Sequence, residues 1–410
     1  MKVYFIGIGG IGVSALARKH LAEGHQVSGS DRSASLITEE LEKLGAEINL
    51  EQKAENITEN LDLVIYTIAI SPDHPELARA CELNLKILSY PEALGELSRS
   101  HFTIAISGTH GKTTTTAMVA QILISAGLDP TVIVGSLLQE SQSNFIAGKS
   151  KFLVVEACEY RRSFLNLSPQ ILVITNIETD HLDYYRDLDD IKSAFEEMKN
   201  KLPENGVLIT EREYSKIRTD FKLKVPGAHN VRNAQAALAV AQALGIDYLV
   251  AVEALESFSG TWRRFELKGT IQKAHGERGA RVYDDYAHHP SEIKATLSGA
   301  RELVGEGKRI FAVFQPHLYS RTQQLFADFT ASFSEADEVI ITDIYAARED
   351  AAKFENISGE KLAKSITNTS AKYLPDFLEI AKYLKEKTEA GDFVIIMGAG
   401  DISQVASHLL

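Results

Sequence analysis

Apolar runs of four or five residues recur along this chain, each followed by a glycine turn or a stretch with helical spacing. The first, over 3–6, leads into Gly7-Ile8-Gly9-Gly10-Ile11-Gly12 and a helix pattern over 13–22. Strand patterns return over 26–31 and 61–67, around a helical stretch over 38–44. Such alternation predicts βαβ units and a parallel sheet. A second series has strands over 102–106, 152–155 and 171–175, and ends on an Ala-rich helix pattern over 230–244. The pattern breaks over 257–261, which predicts a linker. A third series places strands over 281–285, 309–314, 338–342 and 393–397, with helices over 290–304 and 320–334 between them. The reading is α/β in three domains: Rossmann-like over 1–98, a P-loop ATPase-like parallel sheet over 99–259, and a Rossmann-like α/β domain over 260–410.

Composition narrows the setting. At 410 residues the chain exceeds the roughly 250–300 at which a single core stops growing, in keeping with several domains. A net charge of −13 argues against a nucleic-acid partner, which clustered Lys and Arg would have to meet. Two cysteines give no disulfide framework and suit a reducing compartment. The chain opens on a strand pattern rather than a signal peptide, and no apolar run approaches the roughly 20 residues a membrane span needs. A cytoplasmic protein without membrane insertion is expected.

Candidate chemistry concentrates at strand ends. Ser107-Gly108-Thr109-His110-Gly111-Lys112-Thr113-Thr114 lies between a strand and a helix pattern. Turn amides and a helix N-terminus there would cradle an anion, with Lys112 reaching the terminal phosphates of an NTP and the Thr113 hydroxyl holding Mg²⁺. The fit is imperfect, since Ile106 stands where the usual motif has its first glycine. Gly7-x-Gly9-x-x-Gly12, with Asp31 beyond the next strand, predicts a second nucleotide diphosphate site. A dehydrogenase reading of that fingerprint would have to account for the NTP loop as well. Glu156 and His181 follow parallel strands of the second series, where ligand groups collect, and with Thr113 form a candidate metal set. In the third series, Asp284-Asp285-Tyr286-Ala287-His288-His289-Pro290 and Gln315-Pro316-His317-Leu318-Tyr319-Ser320-Arg321 close two strands and outline a polar cleft for a small zwitterion. Trp262-Arg263-Arg264-Phe265 sits at the linker, as a nucleotide contact or as a solvated charge pair beside a packed Trp.

In this order and spacing, these segments resemble the Mur ligase family over essentially the whole chain. Glu156-Ala157-Cys158-Glu159, Thr175-Asn176-Ile177-Glu178, Gly227-Ala228-His229-Asn230-Val231-Arg232-Asn233 and Arg264-Phe265 add to the match. The resemblance implies an ATP-dependent ligase that joins L-alanine to the lactyl carboxylate of UDP-N-acetylmuramate through an acyl phosphate. Gly9, Gly10, Gly12, Asp31 and Ser71 would then serve the UDP-sugar. Gly108, Thr109, His110, Gly111, Lys112, Thr113, Thr114, Asn233, Arg264 and Asp285 would serve ATP. Thr113, Glu156 and His181 would hold Mg²⁺, and Lys112, Glu156, His181 and His288 would act in catalysis. Tyr286, His288 and Arg321 would form the alanine pocket. Leu318 departs from the arginine many relatives carry, and the chain is short for the family. A relative that recycles a tripeptide onto the same UDP-sugar, and a non-catalytic nucleotide sensor, are the alternatives. A monomer or weak homo-oligomer is expected.

Overall fold

The computed structural model describes residues 1–139, 141–273, 278–347 and 349–410. Three sheets carry the chain. The first joins β1 (Lys2–Ile6), β2 (Gln26–Ser30), β3 (Glu47–Asn49), β4 (Leu63–Tyr66) and β5 (Ile87–Ser89) in the order β3-β2-β1-β4-β5, all parallel. The second contains β6 (Phe102–Ser107), β7 (Thr131–Leu138), β8 (Ser143–Ile146), β9 (Phe152–Glu156), β10 (Ile171–Ile174) and β11 (Val207–Ile209). Its order is β11-β10-β6-β9-β7-β8, and only its β7–β8 edge is antiparallel. The third contains β12 (Glu266–Gln272), β13 (Arg278–Asp285), β14 (Ile310–Phe314), β15 (Glu338–Ile341), β16 (Ser370–Tyr373) and β17 (Phe393–Met397). It runs β12-β13-β17-β14-β15-β16, with β12 its antiparallel edge. The α/β, largely parallel architecture in three domains is therefore present.

Contacts gather into two compact units. One comprises Met1–Asp180, Tyr184–Phe221 and Asn233–Ser257; the other His181–Asp183, Lys222–Arg232 and Phe258–Leu410. Within the first, the two sheets share a core in which Val3, Phe5 and Ile65 of one join Ala105, Leu153 and Leu172 of the other. Their central strands are apolar throughout because helices cover both faces, as parallel sheets require. Asn144 on β8 reinforces the junction by donating to the Ser14 hydroxyl at 2.8 Å, from one sheet's edge to the helix Ile11–Ala22. In the second unit, one face of the sheet packs Phe314, Phe329 and Phe333, and the other Phe311, Val394 and Leu384.

Local sequence explains where helices start. Ser89 accepts the Glu92 amide while Glu92 returns a bond to the Ser89 amide, with Pro91 in the first turn of Tyr90–Arg99. His289 caps Pro290–Leu303 in the same way through Glu292. The expected single helix over 320–334 is instead two, Tyr319–Gln324 and Phe326–Thr330. Leu325 leaves helical geometry between them (φ −104°, ψ 22°), and the re-aimed chain sets Phe329 and Phe333 each 5.6 Å from the Phe314 ring.

Candidate functional site

The phosphate-type loop follows from its glycines. Gly108 and Gly111 have φ of +127° and +82°, where a side chain would be strained, and a Cβ on them would strike Thr175 and Asn233. The next strand end holds the loop in shape. Asn176 accepts the His110 amide at 2.9 Å and returns a bond to the His110 carbonyl at 3.1 Å, while Thr175 donates to that carbonyl at 2.6 Å. The Thr109 hydroxyl accepts the Glu178 amide at 2.8 Å, and His110 lies 3.5 Å from the Glu178 carboxylate. Thr175-Asn-Ile-Glu178 is thus the clamp on the loop. The helix Lys112–Ser125 begins directly after Gly111, with Thr113 and Thr114 buried in its first turn.

Lys112 is the loop's cation. Its ammonium donates to the carbonyls of Gly108 at 2.6 Å and Thr109 at 3.0 Å, and pairs with Glu159 at 2.9 Å. The two side chains are only 13% and 3% exposed. Burial alone would lower the Lys112 pKa, but Glu159, with lesser help from Cys158 and Glu156, outweighs it and holds the group above its ordinary value. Sequence reading noted Glu159 only as part of a motif; its place three residues after Glu156, on the turn leaving β9, was the available signal. Glu156 ends β9 half-buried and accepts the Gly135 amide at 2.8 Å. Gly135 permits this, because a Cβ there would lie 2.7 Å from either carboxylate oxygen. Asn233, on the helix Ala228–Ala243, is buried beside Gly111. His181 belongs to the second unit, in a left-handed backbone conformation with φ +53°.

At the first fingerprint, Gly7 turns at φ +78° and its amide donates to the Ser30 carbonyl. Asp31 accepts the Gly9 amide at 2.8 Å, so its carboxylate sits on the glycine turn. Gly12 faces the ring of Tyr90, whose Cζ would lie 2.7 Å from an added Cβ. Tyr90 is a second residue the sequence did not single out; burial, then the Glu156 charge, push its hydroxyl pKa up. Gly10 and Ser71 are exposed. Arg161 reaches back to the Ile68 carbonyl at 3.0 Å and ties the Ser71 loop to the turn after Glu159.

The second unit gathers the remaining candidates. Asp285 ends β13 and accepts the amides of Phe265 at 2.8 Å and Ala287 at 2.7 Å. Burial pushes its pKa up to about 6, against the pull of Arg264. Arg264 lies over the Tyr286 ring at 5.2 Å and 3.8 Å from Glu292. Arg263, in contrast, is a core residue: it pairs with buried Asp284 at 3.0 Å and donates to the Gly398 carbonyl at 2.6 Å. The solvated-pair reading of Arg263 therefore gives way to a buried one. His288 contacts the Tyr286 carbonyl at 2.9 Å, and its ring lies 5.3 Å from Tyr286 and 6.1 Å from His317. Arg321, 8% exposed, meets His317 at 3.2 Å, so Tyr286, His288, His317 and Arg321 form one chain of contacts across two strand ends. Leu318 is buried, with φ +69°.

Comparison with known proteins bears on what these groups serve. Three family models match: Mur ligase family, catalytic domain over 2–102; Mur ligase middle domain over 106–219; and Mur ligase, glutamate ligase domain over 263–400. A UDP-N-acetylmuramate–L-alanine ligase of Clostridium tetani is 44% identical, covering 100% of this chain and 98% of that protein. One of Clostridium acetobutylicum is 41% identical, covering 100% and 97%. The solved structure of a UDP-N-acetylmuramate–alanine ligase from Thermotoga maritima is similar with a TM-score of 0.83 at 31% identity, covering 100% and 98%. A murein peptide ligase from Psychrobacter arcticus shares the fold, with a TM-score of 0.71 at 24% identity.

Proposed function

The chain belongs to the Mur ligase family, and on that premise we propose that it joins L-alanine to the lactyl carboxylate of UDP-N-acetylmuramate at the expense of ATP, a step of peptidoglycan precursor synthesis. The observation that carries this reading is the 44% identity to an alanine-adding ligase over the whole chain. We assign the UDP-sugar to 1–98, ATP to 99–259 and the amino acid to 260–410.

In this reading the lactyl carboxylate attacks the γ-phosphate of ATP, and ADP leaves. The α-amine of L-alanine then adds to the acyl phosphate carbonyl, loses its proton, and expels inorganic phosphate. Amides at the start of the helix Lys112–Ser125 and the Lys112 ammonium meet the charge on the transferring phosphoryl group, while Asn176 keeps the Thr109 and His110 amides. To do so, Lys112 exchanges its Glu159 and carbonyl partners for phosphate oxygens. Asn233, Arg264 and Asp285 serve the nucleotide. Gly9, Gly10, Gly12, Asp31 and Ser71 serve the UDP-sugar. Tyr286 and His288 line the alanine pocket, where Arg321 meets the carboxylate and His288 assists amine deprotonation. Mg²⁺ is assigned to Thr113, Glu156 and His181; the half-buried Glu156 carboxylate, with one amide on one oxygen, suits an oxygen-seeking ion. When bound, the ion would neutralise charge on the phosphate oxygens.

No helix among the described residues is long and apolar enough to cross a membrane. We place the activity in the cytoplasm, in a monomer or weak homo-oligomer. Phosphate release from ATP tests the whole reading. It should require UDP-N-acetylmuramate and L-alanine together. Release that prefers a tripeptide acceptor would indicate the recycling reaction, and nucleotide binding without turnover would indicate a sensor.

A further inference from the structure

The sequence His20-Leu21-Ala22-Glu23-Gly24-His25 closes the helix Ile11–Ala22 and opens β2. The fold brings its three ligand-type side chains together, with one donor atom of each within 4.8 Å of the others. The two imidazole Nδ1 atoms are 2.8 Å apart, and the Glu23 carboxylate is 3.8 Å from Nδ1 of His25. The backbone fixes this arrangement. Gly24 turns at φ +77°, and the His25 amide donates to the His20 carbonyl at 3.0 Å. The His20 ring also packs edge-on against Phe5 in the core. Both imidazoles are half-buried, and Glu23 reaches solvent.

We infer that His20, Glu23 and His25 form a binding site for a divalent transition-metal ion of the zinc class, separate from the Mg²⁺ and nucleotide machinery. Two imidazole nitrogens and a carboxylate are the donor set of a three-ligand zinc site with a fourth position open to water. Two nitrogens at about 2.05 Å from a tetrahedral ion stand roughly 3.3 Å apart, so the rings need part by only about half an ångström. The ion takes the place of the Nδ1–Nδ1 hydrogen bond, and the ring that donated it ligates as its Nε2–H tautomer. The carbonyl end of the helix adds a favourable field for a cation. Lys19 opposes the ion most directly, donating to both Glu23 oxygens at 2.7 Å, and the chain's amino terminus adds a second like charge near His20. The Lys19 ammonium must swing away, which lowers affinity and marks the site as an exchangeable one. Gly12 lies eight residues back along the helix, about 12 Å away, so occupancy need not touch the UDP-sugar turn.

The test is Zn²⁺ titration of the full-length protein against a chromogenic chelator, with Mg²⁺ present throughout. Wild type should bind one more ion per chain than His25→Ala, with Glu23→Gln weakening that ion about tenfold. Lys19→Met should tighten it by about tenfold, since it removes a like charge a few ångströms away. Co²⁺ in place of Zn²⁺ should give a tetrahedral visible spectrum that His25→Ala lacks. Ligase turnover of metal-free His25→Ala should match that of metal-free wild type, and it certifies that the variant is folded. Equal Zn²⁺ stoichiometry in wild type and His25→Ala, or no effect of Lys19→Met on affinity, would overturn the assignment. Neither result would bear on the ligase reading.

Discussion

Replacing Lys112 by Met tests stability and catalysis at once, because this ammonium has one observed role and one proposed role. It is the cation we propose for the phosphate site, and it is the observed partner of a carboxylate that is 3% exposed. Removing one member of a buried ion pair strands the other, at a cost of about 3–5 kcal/mol. The carbonyls of Gly108 and Thr109 lose a donor as well. Loss of a group aimed at transition-state charge costs turnover a further 10²–10³-fold or so. The double variant Lys112→Met/Glu159→Gln separates the two effects. With no charge left behind, it should recover most of the stability and none of the turnover. The assay must report on the correct unit. The single tryptophan, Trp262, lies in the second, so a probe placed in the first is the direct one. Hydrogen exchange in peptides covering Lys112–Ser125 is the suitable measurement, with protection falling in the single variant and returning in the double. A single variant as protected as wild type would refute the buried-pair argument. Near-normal turnover in either variant would remove Lys112 from the phosphate site.

Three further outcomes follow from the geometry. Glu156→Ala should lower activity and move the Mg²⁺ titration to higher concentration; an unmoved curve would take Glu156 out of the metal site. Arg321→Ala should raise KM for L-alanine roughly 10- to 150-fold, the range for a hydrogen bond to a charged group, with KM for ATP little changed. A shift in KM for ATP alone would reassign Arg321 to the nucleotide. Asp285 carries a pH dependence of definite sign. Its folded pKa of about 6 lies above the ordinary 3.8, so the native state holds the extra proton between those values, and stability falls as pH rises through the window. The full effect is roughly 3 kcal/mol above pH 6. Trp262 fluorescence in urea should show that decline in wild type and a flatter profile in Asp285→Asn; parallel profiles would disprove it.

How much could be read beforehand depended on what kind of signal each part leaves. Buried parallel strands such as β6, β9, β10, β14 and β17 are runs of apolar residues, and their loops carry glycines, so both were visible. The edge strands were not. β3, β5 and β11 are three residues long, β8 is four with Ser143 and Asn144 among them, and β12 carries mixed polarity because one side of it faces away from the core; β7, interior and largely buried, was simply missed. The glycine turn between β6 and the helix Lys112–Ser125 was legible from Gly108 and Gly111, whereas its clamp at Thr175 and Asn176 is a tertiary relation that spacing does not encode. Glu159 was only half visible: its place on the turn leaving β9 marked it as a candidate, but spacing does not say which of two nearby carboxylates will meet the lysine. Arg263 and Arg264 make the point most sharply. Adjacent and chemically identical, both lie over the Tyr286 ring, yet they part because Arg263 pairs with Asp284 and the Gly398 carbonyl, while Arg264 lies 3.8 Å from Glu292.

Backbone strain adds a signal that residue type conceals. Glycine advertises a left-handed turn, but Arg161, Arg162, His181, Arg263, Phe265 and Leu318 adopt positive φ without it. Asn84, Asp129, Gln142 and Ala347 share the conformation, but the six named lie at or beside candidate site residues. Arg161 and Arg162 follow Glu159, Arg263 and Phe265 flank Arg264 ahead of Asp285, and Leu318 precedes the helix that carries Arg321. Each costs on the order of 1–3 kcal/mol and persists because surrounding contacts over-determine it. For Arg263 those contacts are the buried pair with Asp284; for Phe265, its amide on the Asp285 carboxylate; for Leu318, its amide on the Tyr345 carbonyl at 2.9 Å. The same bonds that hold the strain also aim Asp285 and Arg321. The buried Leu318 side chain therefore acts through the backbone it anchors, which leaves the guanidinium of Arg321 as the group in that strand end suited to meet a carboxylate.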